Sequence, residues 1–177
     1  MCRERPGTKG YVFASANQPD SAYGRLPQGA ILVRESDYAV RRKLDLAICS
    51  SGTATLENAI LGVPMVVVYK LSWPTYAIAR ALVKVKHIAM ANLLAGREVV
   101  PELIQRDATV GHIVLEAARF LDDPDRAARA RSELARVRHK LGEPGAAARA
   151  AESLLADIGM TEPGEGMVDS KVVGRKP

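Results

Sequence analysis

The chain has 177 residues, 47% apolar and 25% charged, which fits one globular domain and is long enough to bury a core. Its two cysteines, Cys2 and Cys49, exclude a disulfide framework and give no metal-ligand spacing, and the longest apolar run, 60–69, is too short to span a bilayer. The formal charge of +5 suits an anionic partner or simply a solvated surface. With no basic region ahead of heptads and only 5% aromatic residues, nucleic acid is not an expected partner.

Residues 1–10 are rich in Gly, Pro and charge, contain no hydrophobic signal region, and are expected to be disordered. A cytoplasmic location follows as the default. Short apolar runs at 11–15 and 31–34 are bounded by turn formers and read as strands, whereas 17–29 has little helical pattern for a crossover. Residues 36–44 resemble a short helix with Ser36 as N-cap, and 46–49 a buried strand. Thr53–Leu61 reads as a helix closed by Gly62, followed by an uninterrupted apolar strand, Met65–Tyr69.

Further along, 75–83 is apolar at helical spacing, and 87–90 reads as a short strand. Pro101 suits the first position of a helical turn over 101–105. Ala-rich helices follow at 110–121, 124–141 and 146–158, separated by Asp-Asp-Pro and Gly-Glu-Pro-Gly breaks. Residues 159–177 are expected to be a disordered tail. The alternation implies an α/β fold: a Rossmann-like parallel sheet flanked by helices over 11–158, with a helical C-terminal end. Ligands in such sheets sit beyond the carboxyl ends of the strands.

One of those ends carries Cys49-Ser50-Ser51-Gly52-Thr53. A turn of Ser, Gly and Thr opening a helix offers unpaired N–H groups and hydroxyls to an anion, and Glu57 lies one helical turn deeper, where it suits a ribose diol. A diphosphate joined to a ribose needs both features at about that separation. Gly52 would let backbone approach the diphosphate, with Ser51 and Thr53 donating to its oxygens. The plainer alternative is a capped helix start with a solvated glutamate. Cys49, in an apolar strand, reads as a small buried hydrophobe rather than a reactive thiol.

The chain resembles lipid-A-disaccharide synthase, a GT-B glycosyltransferase family, in its C-terminal half. The resemblance runs from about residue 31 to 158 and rests on DLAI leading into SSGTATLENAILGVPMVVVYK, on YAIARALVK at 76–84, and on ANLLAGREVVPELIQ at 91–105. The SGTATLE turn has counterparts in other sugar-nucleotide transferases; the second motif at this distance makes the match specific. The resemblance implies transfer of a diacylglucosamine unit from UDP-2,3-diacylglucosamine to diacylglucosamine 1-phosphate, with inversion, releasing UDP. No cofactor and no metal are implied.

On this reading the donor site comprises Ser51, Gly52, Thr53, Glu57, Asn92 and Arg97, with Asn92 and Arg97 also the candidates for a direct part in the reaction. Asn supplies donor and acceptor to sugar hydroxyls and Arg a cationic fork; the alternative is loop structure, with Arg97 paired to a carboxylate. Glu98 and Gln105 are weaker candidates, and Tyr69 either faces the site or packs. Arg80, Lys84 and Lys86, interleaved with Ile78, Leu82, Val83 and Val85, form a basic, apolar stretch that either lies against anionic lipid or packs on the sheet. Neither His87, His112 and His139 nor Trp73-Pro74 is assigned to chemistry.

The family is about twice this length, so its N-terminal half, which brings the acceptor-side acidic base, is expected to be missing. A sheet edge and some apolar surface are then left uncovered. The expected partners are the two lipid substrates, the cytoplasmic face of the inner membrane, and either a separately encoded N-terminal half or a second copy. The alternatives are another UDP-sugar GT-B transferase or epimerase, and a non-catalytic UDP-binding module or inactive fragment.

Overall fold

The computed structural model describes residues 5–76 and 86–158, and the chain divides into two compact units after Leu141. In the first, strands β1 (Gly10–Ala14) and β2 (Ala30–Arg34) pair in parallel, Gly10 opposite Ala30 through Ala14 opposite Arg34. The crossover between them is short on structure: a 3-10 turn at Asp20–Tyr23 takes the place of a full helix. Side chains close it instead. Tyr23 Oη accepts from Ser15 N at 2.7 Å, and Glu35 accepts from Ser15 Oγ and Ala16 N, both at 3.1 Å.

Helix α1 (Tyr38–Arg41) leads to the second sheet. Its N-cap is Asp37, one residue after the expected Ser36, because the Asp37 carboxylate reaches Val40 N at 3.1 Å. The second sheet contains β3 (Ala47–Ser50), β4 (Met65–Tyr69) and β5 (Glu102–Ile104), all parallel, with β4 in the middle. Helix α2 (Thr53–Leu61) joins β3 to β4 and ends at Gly62, whose φ of +71° is the left-handed conformation a C-terminal glycine permits.

β4 shows why an unbroken apolar strand belongs at the centre. Met65 and Val67 pack with Ala59, Ala89, Ala91, Val100, Leu134 and Val137 on one face. Val66 packs with Leu103, Phe120, Ala127 and Ala130 on the other. Both faces are covered by helices, α2 and α3 (Met90–Ala95) together with α4 (Val110–Asp122) and α5 (Pro124–Lys140). Pro124 opens α5 at a position that needs no N–H donor, and Asp123 caps it by accepting from Arg126 N at 2.9 Å.

Three short segments differ from expectation. β3 is an edge strand rather than a buried one: Ala47 and Cys49 face the core while Ile48 is 54% exposed, because no strand pairs beyond it in this sheet. Residues 87–89 are not a strand, and Met90 already begins α3. The N–H groups of Ile88 and Ala89 donate to the Glu102 carboxylate at 2.9 and 3.0 Å, so no ladder forms there. Finally, 101–105 is not helical. Pro101 precedes β5, which docks on β4 with Glu102 opposite Val67 and Ile104 opposite Tyr69.

Residues 73–76 are helical, in keeping with the start of the helix expected over 75–83; the remainder of it, with Arg80 and Lys84 of the basic stretch, lies outside the described residues. So does the tail, 159–177. The second unit contributes helix α6 (Ala146–Asp157), with Arg149 donating back to the carbonyls of Pro144 and Glu143 at 2.9 and 3.2 Å. The architecture is the α/β, Rossmann-like arrangement of parallel strands flanked by helices.

Candidate functional site

The Ser-Ser-Gly-Thr turn leaves the carboxyl end of β3 and opens α2. Gly52 has φ 149° and ψ −158°, a region that essentially only glycine occupies. A Cβ added there would meet no atom within 4 Å, so the glycine is required by backbone conformation and not by crowding inside the protein. No side chain caps the helix: Gly52 stands at the N-cap, and its carbonyl accepts from Thr55 N and Thr55 Oγ1 at 3.1 and 2.8 Å. Gly52 and Thr53 are exposed. The turn therefore presents a solvent-facing helix N-terminus with its partial positive charge uncapped.

Ser51 is half-buried, and its hydroxyl donates to Ile88 O at 2.9 Å. Thr55, fully buried, accepts from Met90 N at 3.3 Å. These two bonds tie the turn to the start of α3. Glu57, one helical turn in, is held on both oxygens: Arg41 Nη1 donates to Oε2, and Tyr38 Oη to Oε1 at 3.2 Å. The Glu57 side chain remains 31% exposed.

Asn92 sits in a different setting. It is fully buried, and all four of its hydrogen-bonding positions are used within the protein. Nδ2 donates to Val100 O at 2.8 Å and to Glu102 Oε1 at 2.7 Å; Oδ1 accepts from Val99 N at 2.8 Å and Val100 N at 3.0 Å. Glu102, whose side chain is only 6% exposed, thus gathers three N–H donors, with His87 Nδ1 at 3.9 Å. Gln105, also buried and carrying a φ of +51°, clamps Leu71 from both sides, accepting from its N–H at 2.7 Å and donating to its carbonyl at 3.1 Å. The polar residues of NLLAGREVVPELIQ form an internal frame that fastens the loops at the carboxyl edge to the sheet.

Arg97 and Glu98 lie elsewhere. Arg97 follows the C-terminal end of α3 and pairs with Glu133 of α5. With Val99, Val100, Pro101, Phe120, Arg126, Arg129 and Ala130 they line an open depression of about 240 Å³. Val100 and Pro101 lead into the amino end of β5, whereas the Ser-Ser-Gly-Thr turn follows the carboxyl end of β3. The fold thus brings Ser51, Gly52, Thr53 and Glu57 together and sets Arg97 at the opposite end of the sheet. Tyr69 ends β4 half-buried, His112 is exposed with Nδ1 3.0 Å from Asp107 O, and His139 and Lys86 are exposed. Trp73 is 56% exposed, stacked against Arg106 at 5.3 Å.

Cys49 points inward, where burial pushes its thiol up to about 11 against weaker opposing effects from Asn58 and Arg41, which suits a packed thiol and not a nucleophile. Sequence reasoning missed Glu102, Tyr38 and Arg41. Glu102 had one signal, a carboxylate set in the apolar run VVPELI. Arg41 had none, as one of three consecutive cations at 41–43.

A family model described as lipid-A-disaccharide synthetase matches residues 26–157. The chain is 44% identical to lipid-A-disaccharide synthase from Geobacter metallireducens over 129 residues, 73% of this chain and 34% of that protein. It is 54% identical to the Anaeromyxobacter dehalogenans synthase over 113 residues, 63% and 29% of the two chains. With the Acidobacterium capsulatum synthase it shares 42% over 142 residues, 80% and 35%. The matched region spans about a third of each of these relatives. With the same helix-opening turn and the same frame behind it, the chain belongs to the lipid-A-disaccharide synthetase family.

Proposed function

We propose that this chain is the donor-binding half of a hexosyltransferase, the part that holds the UDP of UDP-2,3-diacylglucosamine. The observation that carries this reading is the turn at the carboxyl end of β3: a glycine-only backbone conformation, an uncapped and exposed helix N-terminus, and a fixed carboxylate one turn behind it. The backbone N–H groups and the hydroxyls of Ser51 and Thr53 receive the diphosphate, and Glu57 accepts from the ribose diol. Asn92 acts through the frame, keeping 88–105 in place, and Arg97 stands outside the diphosphate cradle.

In the complete reaction the 6-hydroxyl of diacylglucosamine 1-phosphate attacks the anomeric carbon. A new carbon–oxygen bond forms, the bond to the diphosphate breaks, and UDP departs with the electron pair, leaving an inverted β linkage. Preorganised dipoles at the α2 N-terminus stabilise the charge that grows on UDP. The base that takes the hydroxyl proton lies outside the residues assigned here. Among the described residues no helix is long and apolar enough to cross a membrane; we place the protein at the cytoplasmic face of the inner membrane through peripheral contact, completed by an N-terminal half or a second copy.

Calorimetric titration of the full chain with UDP, alongside UMP and ADP, tests the donor assignment. Binding of UDP in preference to both controls supports it. A folded chain that gives no heat with UDP, or the same heat with ADP, refutes it and favours an inactive fragment.

A further inference from the structure

Glu57 is not a free surface glutamate, and what fixes it has not yet been given a role. Arg41, at the end of α1, is 6% exposed although it carries a full charge. Its guanidinium carbon lies 5.1 Å from the Phe13 ring centroid in β1 and 5.6 Å from that of Tyr38. Two aromatic faces therefore hold the cation, and its edge is turned to Glu57 Oε2. The Tyr38 hydroxyl takes the other oxygen. A carboxylate so held has lone pairs left over, and its 31% exposure leaves them open to solvent.

Resting on the donor-site reading above, we propose that Arg41 and Tyr38 are positioning residues that aim the Glu57 carboxylate at the ribose diol and so select a ribonucleoside diphosphate over its 2′-deoxy counterpart. A mobile glutamate would lose side-chain freedom on binding and weaken the contact; one anchored beforehand loses little. Because Phe13 belongs to β1, the small first sheet thereby takes part in donor recognition.

The test compares UDP with 2′-deoxy-UDP on the full chain and on Glu57→Gln, Arg41→Met and Tyr38→Phe, each checked for folding by circular dichroism. The unmodified chain is expected to prefer UDP by about tenfold or more, the effect of one hydrogen bond to a charged group. Arg41→Met should lose most of that preference while its affinity for 2′-deoxy-UDP stays within a few fold; a role confined to tying α1 to α2 would not move the ratio. Tyr38 is exposed, so Tyr38→Phe keeps the fold even if Arg41→Met does not, and it should reduce the preference several-fold. Preference that vanishes in Glu57→Gln yet persists in a folded Arg41→Met, or in Tyr38→Phe, overturns the positioning role and leaves the donor site standing. An unmodified chain with no preference for UDP over ADP overturns the donor site, and the positioning role with it.

Discussion

Replacing Asn92 by Ala separates a scaffold residue from a ligand-binding one. The side chain is fully buried and meets four protein groups: the N–H groups of Val99 and Val100, the carbonyl of Val100, and Glu102. Truncation leaves those groups without their partner at the core end of α3. Each buried polar group so stranded costs about 1–3 kcal/mol, and water entering the vacated space recovers part of it. A net loss of about 3–5 kcal/mol is expected, a large share of the roughly 5–15 kcal/mol that stabilises a typical domain. With a urea slope of about 2 kcal/mol per molar, the unfolding midpoint followed by circular dichroism falls by about 2 M. Asn92→Asp keeps the acceptor oxygen but replaces the donor with a second carboxylate beside Glu102. It should be at least as damaging at pH 8 and less so at pH 5, where one proton shared between the two carboxylates restores a donor. An Asn92→Ala chain that keeps its stability within about 1 kcal/mol while losing UDP affinity would refute this reasoning and make the side chain a ligand contact.

Gly52→Ala should cost about 1–3 kcal/mol in the same urea assay through backbone strain alone, since the added methyl meets nothing; a neutral outcome would mean the turn relaxes freely. Gln105→Ala releases both backbone groups of Leu71 and should open 70–73 to limited proteolysis, detected by mass spectrometry of the first cuts. Cys49 stays protonated to a higher pH folded than unfolded, so its contribution is fully present below the unfolded value near 9.0 and is lost as pH rises toward about 11. Relative to a Cys49→Ala chain, stability should therefore fall by at most about 3 kcal/mol over that interval, and parallel pH profiles of the two proteins would contradict the burial of the thiol. The exposed Arg5–Asp122 pair lowers the carboxylate of Asp122 below its ordinary range, so any support it gives is present at neutral pH and fades as pH falls through the lowered value; Asp122→Asn should flatten that acid limb slightly.

The long elements were legible without a structure because their signals are local and repeated. The apolar spacing of 110–121 and 124–141, Pro124 at a helix start, Gly62 at a helix end and the unbroken MVVVY each name an element by themselves. The turn that opens α2 was legible for the same reason, and α/β class followed from their order. Short segments were not. Five residues beginning with proline suit a helical turn or the first residue of a strand equally, and 101–105 became β5 only because β4 offered its backbone as a partner. Residues 87–89 stayed out of a ladder because the Glu102 carboxylate, 13 residues or more away in the chain, took their N–H groups. The same applies to roles. The sequence placed Asn92 and Arg97 in one distinctive motif; tertiary structure turned Asn92 inward to frame the loops, sent Arg97 to the far end of the sheet, and put Arg41 and Tyr38 against Glu57. Local patterning determines which segments coil or extend, but the partners of a polar side chain are set by what the fold brings within hydrogen-bonding reach.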